Sequence, residues 1–106
     1  MGRLLFIVLF FVSCTAPNSA VSTQPGDAAA IAGGKLFRIH CAACHGADAS
    51  GTRYAPNLKS SPVLANKAEA LFRYITNGDL RRGMPAWSRL PDERRWQLVA
   101  YLQSLP

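Results

Sequence analysis

Cys41-Ala42-Ala43-Cys44-His45 is the stretch of sequence that decides the fold. Two cysteines three residues apart project from one side of a helical turn, and a histidine follows directly. Three kinds of site use such a cysteine pair: a covalent haem attachment, a redox-active dithiol and half of a zinc site. The surrounding sequence has to distinguish between them.

The pattern C-x-x-C-H is typical of c-type haem attachment. Cys41 and Cys44 can form thioethers with two haem vinyl groups, and the next residue, His45, then supplies the proximal iron ligand. A redox dithiol is expected within a βαβ pattern, which the sequence lacks. A zinc site needs four protein ligands, and the one further candidate, His40, is placed by a helix on another side. We therefore predict one haem c, covalently bound through Cys41 and Cys44.

The second axial ligand is predicted by elimination. His40 is too close along the chain to reach the opposite haem face, and Met84 is the only methionine besides Met1. A methionine is usually a core residue, but Met84 lies in a loop, off any helical stripe. Gly83 allows close backbone approach, and Pro85 favours an extended conformation at Met84. We predict His45 and Met84 as the metal ligands.

Length and charge restrict the function classes. The 106 residues suffice for one domain and exclude a large enzyme. Twelve Lys+Arg against six Asp+Glu give a net charge of +6, and loss of Arg3 with a leader would leave eleven against six, or +5. Such a charge favours acidic protein partners or anionic surfaces. Basic stripes interleaved with aromatics are missing, so we predict no nucleic-acid partner.

The N-terminus predicts export. Arg3 and the apolar run Leu4 to Val12 are typical of a signal peptide, and the run is too short to span a bilayer. Phe11-Val12-Ser13-Cys14 resembles the lipobox of bacterial lipoproteins, which predicts a signal peptide over residues 1–13 and a periplasmic protein tethered through lipidated Cys14. Cleavage near Ala20, with Cys14 discarded, is the alternative.

The remaining chain divides into a flexible linker over residues 14–26 and a domain over residues 27–106. Three helices and no strands are predicted: Asp27 as N-cap to about Cys44, Asn66 as cap to Asn77-Gly78, and a helix with Pro91 in its first turn. Because about half of so small a domain is loop, a bound group is expected to complete its core.

The sequence from Asp27 to Pro106 resembles the small class I cytochromes c of the bacterial type. The resemblance implies an all-α fold with three main helices and loops wrapped around one haem. It also implies that Gly33 and Phe37 on the first helix pack against Tyr101 on the last.

The resemblance further assigns cofactor-binding roles after the haem histidine. Ala55-Pro56-Asn57-Leu58 is similar to a family loop in which the proline carbonyl accepts a hydrogen bond from the histidine ring. Pro56 is thus the expected acceptor and Leu58 a haem-packing residue, although Ala55 stands where glycine is more usual. Gly83 to Trp87 resembles the methionine loop, and Trp87 and Trp96 are expected to pack rather than relay electrons.

An iron with both axial positions filled has no open site for a substrate, so we predict a one-electron carrier and not an enzyme. Its redox partners would be a dehydrogenase or quinol-oxidising complex and a terminal oxidase or reductase. Three alternatives stay open: a dedicated haem subunit of a dehydrogenase complex, a haem sensor or peroxidase with dissociable Met84, and a haem-free dithiol protein. Arg81 and Arg82 could form a positive rim for acidic partners, or simply be solvated.

Overall fold

A computed structural model describes Gly2 and residues 25–106. Its helices are α1 (Pro25–His40), α2 (Ala42–His45), α3 (Ala68–Asn77) and α4 (Asp92–Ser104), with 3-10 turns at Pro62–Ala65 and Leu80–Arg82. The part of the chain described contains no β-strand, and one isolated antiparallel bridge pairs Asp79 with Met84. The expected all-α fold with three main helices, α1, α3 and α4, is confirmed.

Close packing of α1 on α4 forms the centre of the fold. A Cβ placed on Gly33 would lie 1.8 Å from the carbonyl oxygen of Gln97 and 2.9 Å from the Cβ of Tyr101, so only glycine permits this approach. Phe37 is 1% exposed, and its ring centroid lies 5.1 Å from that of Tyr101. The expected packing of Gly33 and Phe37 against Tyr101 is confirmed.

The apolar core lies between these two helices and α3. Its members are buried aliphatic and aromatic side chains: Leu36, Phe37, Ala49, Leu71, Ile75, Leu98, Val99 and Leu102. On α3 the four-residue spacing of Leu71 and Ile75 puts both side chains on one face, as expected for an amphipathic helix. The loops between the helices pack against this core through residues such as Cys41, Leu58 and Trp87.

Arg95 is a buried cation that joins α3, the preceding loop and α4. Its Nε donates to the carbonyl of Leu90 at 3.0 Å, and its other nitrogens donate to Thr76 Oγ1 and Asp92 Oδ1. The guanidinium also lies over the ring of Phe72, 4.6 Å from its centroid. Its nitrogens thus have hydrogen-bond partners on both helices and in the loop, which is what a buried charge requires.

Four helix boundaries differ from the sequence predictions. Pro91 precedes α4 at its N-cap rather than lying in its first turn, because the helix begins at Asp92. Asp27 lies in the first turn of α1 rather than at its cap, because α1 begins at Pro25. The helix predicted to reach Cys44 ends at His40, and Cys41 separates it from α2 with φ −115°. Lys67, not Asn66, caps α3, since the amides of Ala70 and Leu71 bond to its carbonyl.

Several predictions concern the N-terminal residues. The predicted signal peptide and Cys14 lie outside the described residues, apart from Gly2, and so does the linker as far as residue 24. Between residues 25 and 106 no helix combines the length and apolar character needed to cross a membrane.

Candidate haem-binding site

A cleft beside the core brings all the sequence-predicted site residues together. Its empty volume is about 1210 Å³, which includes open solvent at the mouth of the cleft. The predicted residues in its wall are Cys41, Cys44, His45, Pro56, Leu58 and Met84. Most of the remaining wall is apolar and includes Leu71, Ile75, Leu98 and Leu102 from α3 and α4. The cleft therefore combines sulfur and imidazole groups with a mostly apolar lining.

His45 is oriented by the loop that follows it. Its Nδ1 lies 3.3 Å from the carbonyl oxygen of Pro56. Because a carbonyl can only accept, this bond requires the proton on Nδ1 and leaves the lone pair of Nε2 free to bind a metal. A backbone acceptor of this kind fixes the orientation of the ring.

Gly51 allows the Pro56 segment to approach His45. It has φ +87°, and a Cβ there would lie 2.6 Å from the Asn57 nitrogen and 2.8 Å from the Pro56 carbonyl carbon. The Gly51 amide donates to the carbonyl of His45 at 2.7 Å. Gly51 therefore contacts the backbone of both partners of the hydrogen bond between His45 and Pro56.

Cys41 is half-buried between α1 and α2, and Cys44 is exposed on α2. Burial, reinforced by the nearby Cys44, raises the pKa of the Cys41 thiol to about 11. A redox dithiol needs a thiolate with a lowered pKa, so the environment of Cys41 does not favour that alternative. Nor do the described residues contain a group of three or more His, Cys, Asp or Glu side chains that could hold a metal ion.

Met84 is fixed by a loop that folds back onto the end of α3. Asp79 and Met84 exchange two backbone hydrogen bonds of 2.9 Å each, and the amide of Trp87 donates to the carbonyl of Ile75 at 3.0 Å. Gly78, with φ +65°, would bring a Cβ within 2.7 Å of the Met84 carbonyl oxygen. Glycine is thus required where the methionine loop crosses the helix end.

The structure also places residues in the cleft that the sequence did not indicate. Tyr54, Tyr74 and His40 line it, and the His40 ring centroid is 5.1 Å from that of Trp87. Nothing in the spacing of these residues distinguishes them from other aromatic positions. Trp87 lines the cleft, as a packing role predicts, whereas Trp96 stacks on Phe72 at a centroid distance of 4.3 Å.

The donor set fits a covalently attached haem. Two thiols and an imidazole come from one short segment, a thioether comes from a second loop, and most of the remaining wall is apolar. The two glycines that let the loops approach, Gly51 and Gly78, would not accept a side chain.

Comparison with known proteins agrees with this chemistry. The protein-family model described as cytochrome C oxidase, cbb3-type, subunit III matches residues 28–102. The chain belongs to this family of cytochromes c. The resemblance to the class I monohaem cytochromes c is confirmed, and with it the cofactor, one covalently bound haem c.

Individual relatives of this cytochrome c differ in how much of their length it covers. It is 37% identical over 77 residues to cytochrome c6 of Leptolyngbya boryana, covering 69% of this chain and 88% of the relative. It is 42% identical over 92 residues to the cbb3-type cytochrome c oxidase subunit FixP of Bradyrhizobium sp. (strain ORS 278), covering 82% of this chain and 31% of FixP. The crystal structure of cytochrome cL from Methylophaga aminisulfidivorans MPT superposes with a TM-score of 0.63 at 28% identity, covering 78% of this chain and 59% of that one.

Proposed function

We propose that Cys41 and Cys44 would hold the haem of this cytochrome c as thioethers and that His45 and Met84 would bind its iron. The observation that carries the proposal is the cleft, which gathers these four side chains with the His45–Pro56 bond. Haem c supplies a one-electron couple at its iron when bound. Pro56 orients the imidazole, and Leu58 packs in the same wall and excludes water.

These ligands suit the protein to electron transfer rather than to catalysis. With the imidazole of His45 and the thioether of Met84 both bound to the iron, no coordination position would be left for a substrate. A thioether ligand favours the reduced state and raises the reduction potential. We therefore expect a one-electron carrier without enzymatic turnover.

Attachment is tested by haem staining of the denatured, acid-extracted protein. The double variant Cys41→Ser/Cys44→Ser should lose all covalent haem, and each single variant should keep it through one thioether. Cys14→Ser removes a cysteine outside the motif and should retain full staining. Covalent haem that persists in the double variant would refute the assignment.

The proposed partners are a dehydrogenase or quinol-oxidising complex as donor and a terminal oxidase or reductase as acceptor. The relative named as a cbb3-type oxidase subunit supports an oxidase as acceptor. Exposed Arg81 and Arg82 lie in the loop that carries Met84, and Arg82 lines the cleft mouth. In a chain of net charge +6 they favour acidic docking surfaces. Electron-transfer rates to a solubilised oxidase should then fall as salt rises and fall in Arg81→Gln/Arg82→Gln.

A dedicated haem subunit is the second candidate, because the matching family model is itself described as an oxidase subunit. Native electrophoresis of detergent-solubilised membranes separates the two. A carrier should migrate largely as a free small protein, whereas comigration of nearly all its haem with an oxidase or dehydrogenase complex would favour the subunit.

We further propose export and lipid anchoring through Cys14, on the basis of the leader and the lipobox-like Phe11 to Cys14. The intact mass of the mature protein tests this. A chain that begins at Cys14 and carries acyl chains is expected, and Cys14→Ser should release the protein from membranes. A mature chain that begins after Ala20 would contradict the anchor.

A further inference from the structure

The loop that carries Met84 is closed at its base by Asp79, whose side chain also makes contacts of its own. The hydroxyl of Tyr74, on α3, donates to Asp79 Oδ2 at 3.2 Å. The Arg82 Nε lies 3.6 Å from the same oxygen. Asp79 thus joins α3, through its side chain, to Met84, through its backbone.

The carboxylate of Asp79 is free for these contacts because it caps nothing. Asp79 precedes the 3-10 turn Leu80–Arg82, yet its side chain makes no capping hydrogen bond. Its backbone, with φ −145° and ψ 83°, has no positive φ that would favour a particular residue type. The identity of the side chain is therefore not explained by local backbone structure.

The two partners of Asp79 differ in strength. The Arg82 side chain is 81% exposed, and an exposed ion pair of this kind contributes little. The Tyr74 hydroxyl is part-buried in the cleft wall, so its hydrogen bond to the Asp79 carboxylate is less exposed to solvent than the ion pair with Arg82. Burial and this hydrogen bond also raise the pKa of Tyr74. The tyrosine contact is therefore the one expected to restrain the loop.

We propose that Tyr74 and Asp79 form a positioning pair that holds Met84 in the cleft and so sets how readily an exogenous ligand displaces it. The inference rests on the proposed function, in which Met84 is an axial ligand. Two 2.9 Å backbone bonds transmit the restraint from Asp79 to Met84. Tyr74 supplies the fixed end, because its own carbonyl accepts the Gly78 amide at 2.8 Å and ties it to the C-terminus of α3.

The test is an imidazole titration of the ferric, haem-loaded full chain, followed by loss of the sulfur-to-iron charge-transfer band. Tyr74→Phe and Asp79→Ala should each raise the affinity for imidazole about fivefold, the equivalent of one ordinary hydrogen bond. The double variant should bind no more tightly than Asp79→Ala alone, because both changes remove one interaction. Arg82→Gln should change the affinity less than about twofold.

Matched controls separate this role from general destabilisation. Tyr101→Phe removes a hydroxyl from the helix interface, and Glu69→Ala removes an exposed carboxylate from α3; both should titrate like the wild type. Denaturant unfolding is measured in parallel, since a merely structural contact would lower stability without changing imidazole affinity. If Asp79→Ala does not fold, Tyr74→Phe carries the test, because it removes one oxygen atom.

Met84→Ala distinguishes a failure of the proposed function from a failure of the positioning pair. Met84→Ala has no sulfur-to-iron band, so its titration is followed by the change in the Soret band, and it should bind imidazole far more tightly than any pair variant. If Met84→Ala binds imidazole like the wild type, Met84 is not a ligand and the proposed function fails. If Met84→Ala responds while Tyr74→Phe and Asp79→Ala match their controls, or if their effects add, the positioning pair alone is refuted.

Discussion

The Nδ1 atom of His45 lies 3.3 Å from the carbonyl oxygen of Pro56, eleven residues further along the chain. A backbone acceptor cannot be removed by changing a side chain, so the loop geometry itself determines this bond. The residue that sets the geometry is Gly51, which has φ +87° and touches the Pro56–Asn57 backbone. The conformation of the loop at Gly51 therefore determines the orientation of the His45 ring, although Gly51 does not contact that ring through a side chain.

Gly51→Ala should move the Pro56 carbonyl away from His45. Strain at this positive φ costs about 1–3 kcal/mol, and the clash with Asn57 adds to it. Gly83→Ala is the matched control, because Gly83 has a similar φ of +83° but open space around its Cβ. Denaturant unfolding of the haem-loaded protein should show a larger loss for Gly51→Ala. Equal losses would mean that the contact with the Pro56 segment contributes nothing.

Gly33→Ala should separate α1 from α4. Its Cβ would lie 1.8 Å from the carbonyl oxygen of Gln97, a backbone atom that only a helix shift can move. We expect a loss of about 3 kcal/mol in the free energy of unfolding. Gly34→Ala, whose Cβ would meet side-chain atoms, the Tyr101 ring at 3.2 Å and Arg38 Nη1 at 3.9 Å, should be nearly neutral, because alanine favours the helix. Comparable losses at both positions would contradict the packing described.

Arg95→Met should destabilise the fold without a direct effect on the haem ligands. The carbonyl of Leu90 and the hydroxyl of Thr76 would lose their donor, which costs about 2 kcal/mol. Its exposed neighbour gives the control, Arg94→Met, which removes the same charge and should change stability little. Thermal unfolding of both variants distinguishes a buried hydrogen-bonding role from a general charge effect.

We expect deprotonation of Tyr74 to lower the stability of the fold at alkaline pH. Burial, followed by the hydrogen bond to Asp79, raises its pKa above the ordinary value of 10.0. The folded chain thus holds this proton more tightly than the unfolded chain does. The stability that the protonated Tyr74 contributes is therefore fully present below about pH 10 and is lost as the pH rises through the folded-state pKa. Wild-type stability should fall more steeply in that range than that of Tyr74→Phe, with Tyr101→Phe behaving like the wild type. Parallel slopes for wild type and Tyr74→Phe would exclude this linkage.

Much of the architecture was predictable because it depends on local patterns. Gly78 after Asn77 gave the end of α3, and the apolar spacing gave its buried face. The break at Cys41 and the cap at Lys67 were missed because both depend on how loops pack, which helical periodicity does not report.

The site was predictable where a motif carries chemistry and not where tertiary contacts do. Cys41, Cys44 and His45 form one contiguous pattern, and Met84 followed by elimination. The restraint from Tyr74 through Asp79 to Met84 has no sequence signature, because its parts meet only when the loop folds back on α3. Buried Arg95 was missed for a similar reason, since an arginine on a helix is usually exposed.

The central claim is that His45 and Met84 bind the haem iron. The most direct test is the visible spectrum of the reduced wild type with and without carbon monoxide, compared with the same spectra of Met84→Ala. The account predicts a low-spin c-type spectrum that carbon monoxide does not change in the wild type, and clear carbon monoxide binding in Met84→Ala. A wild-type protein that binds carbon monoxide as readily as the variant would contradict the account and favour a ligand sensor or peroxidase.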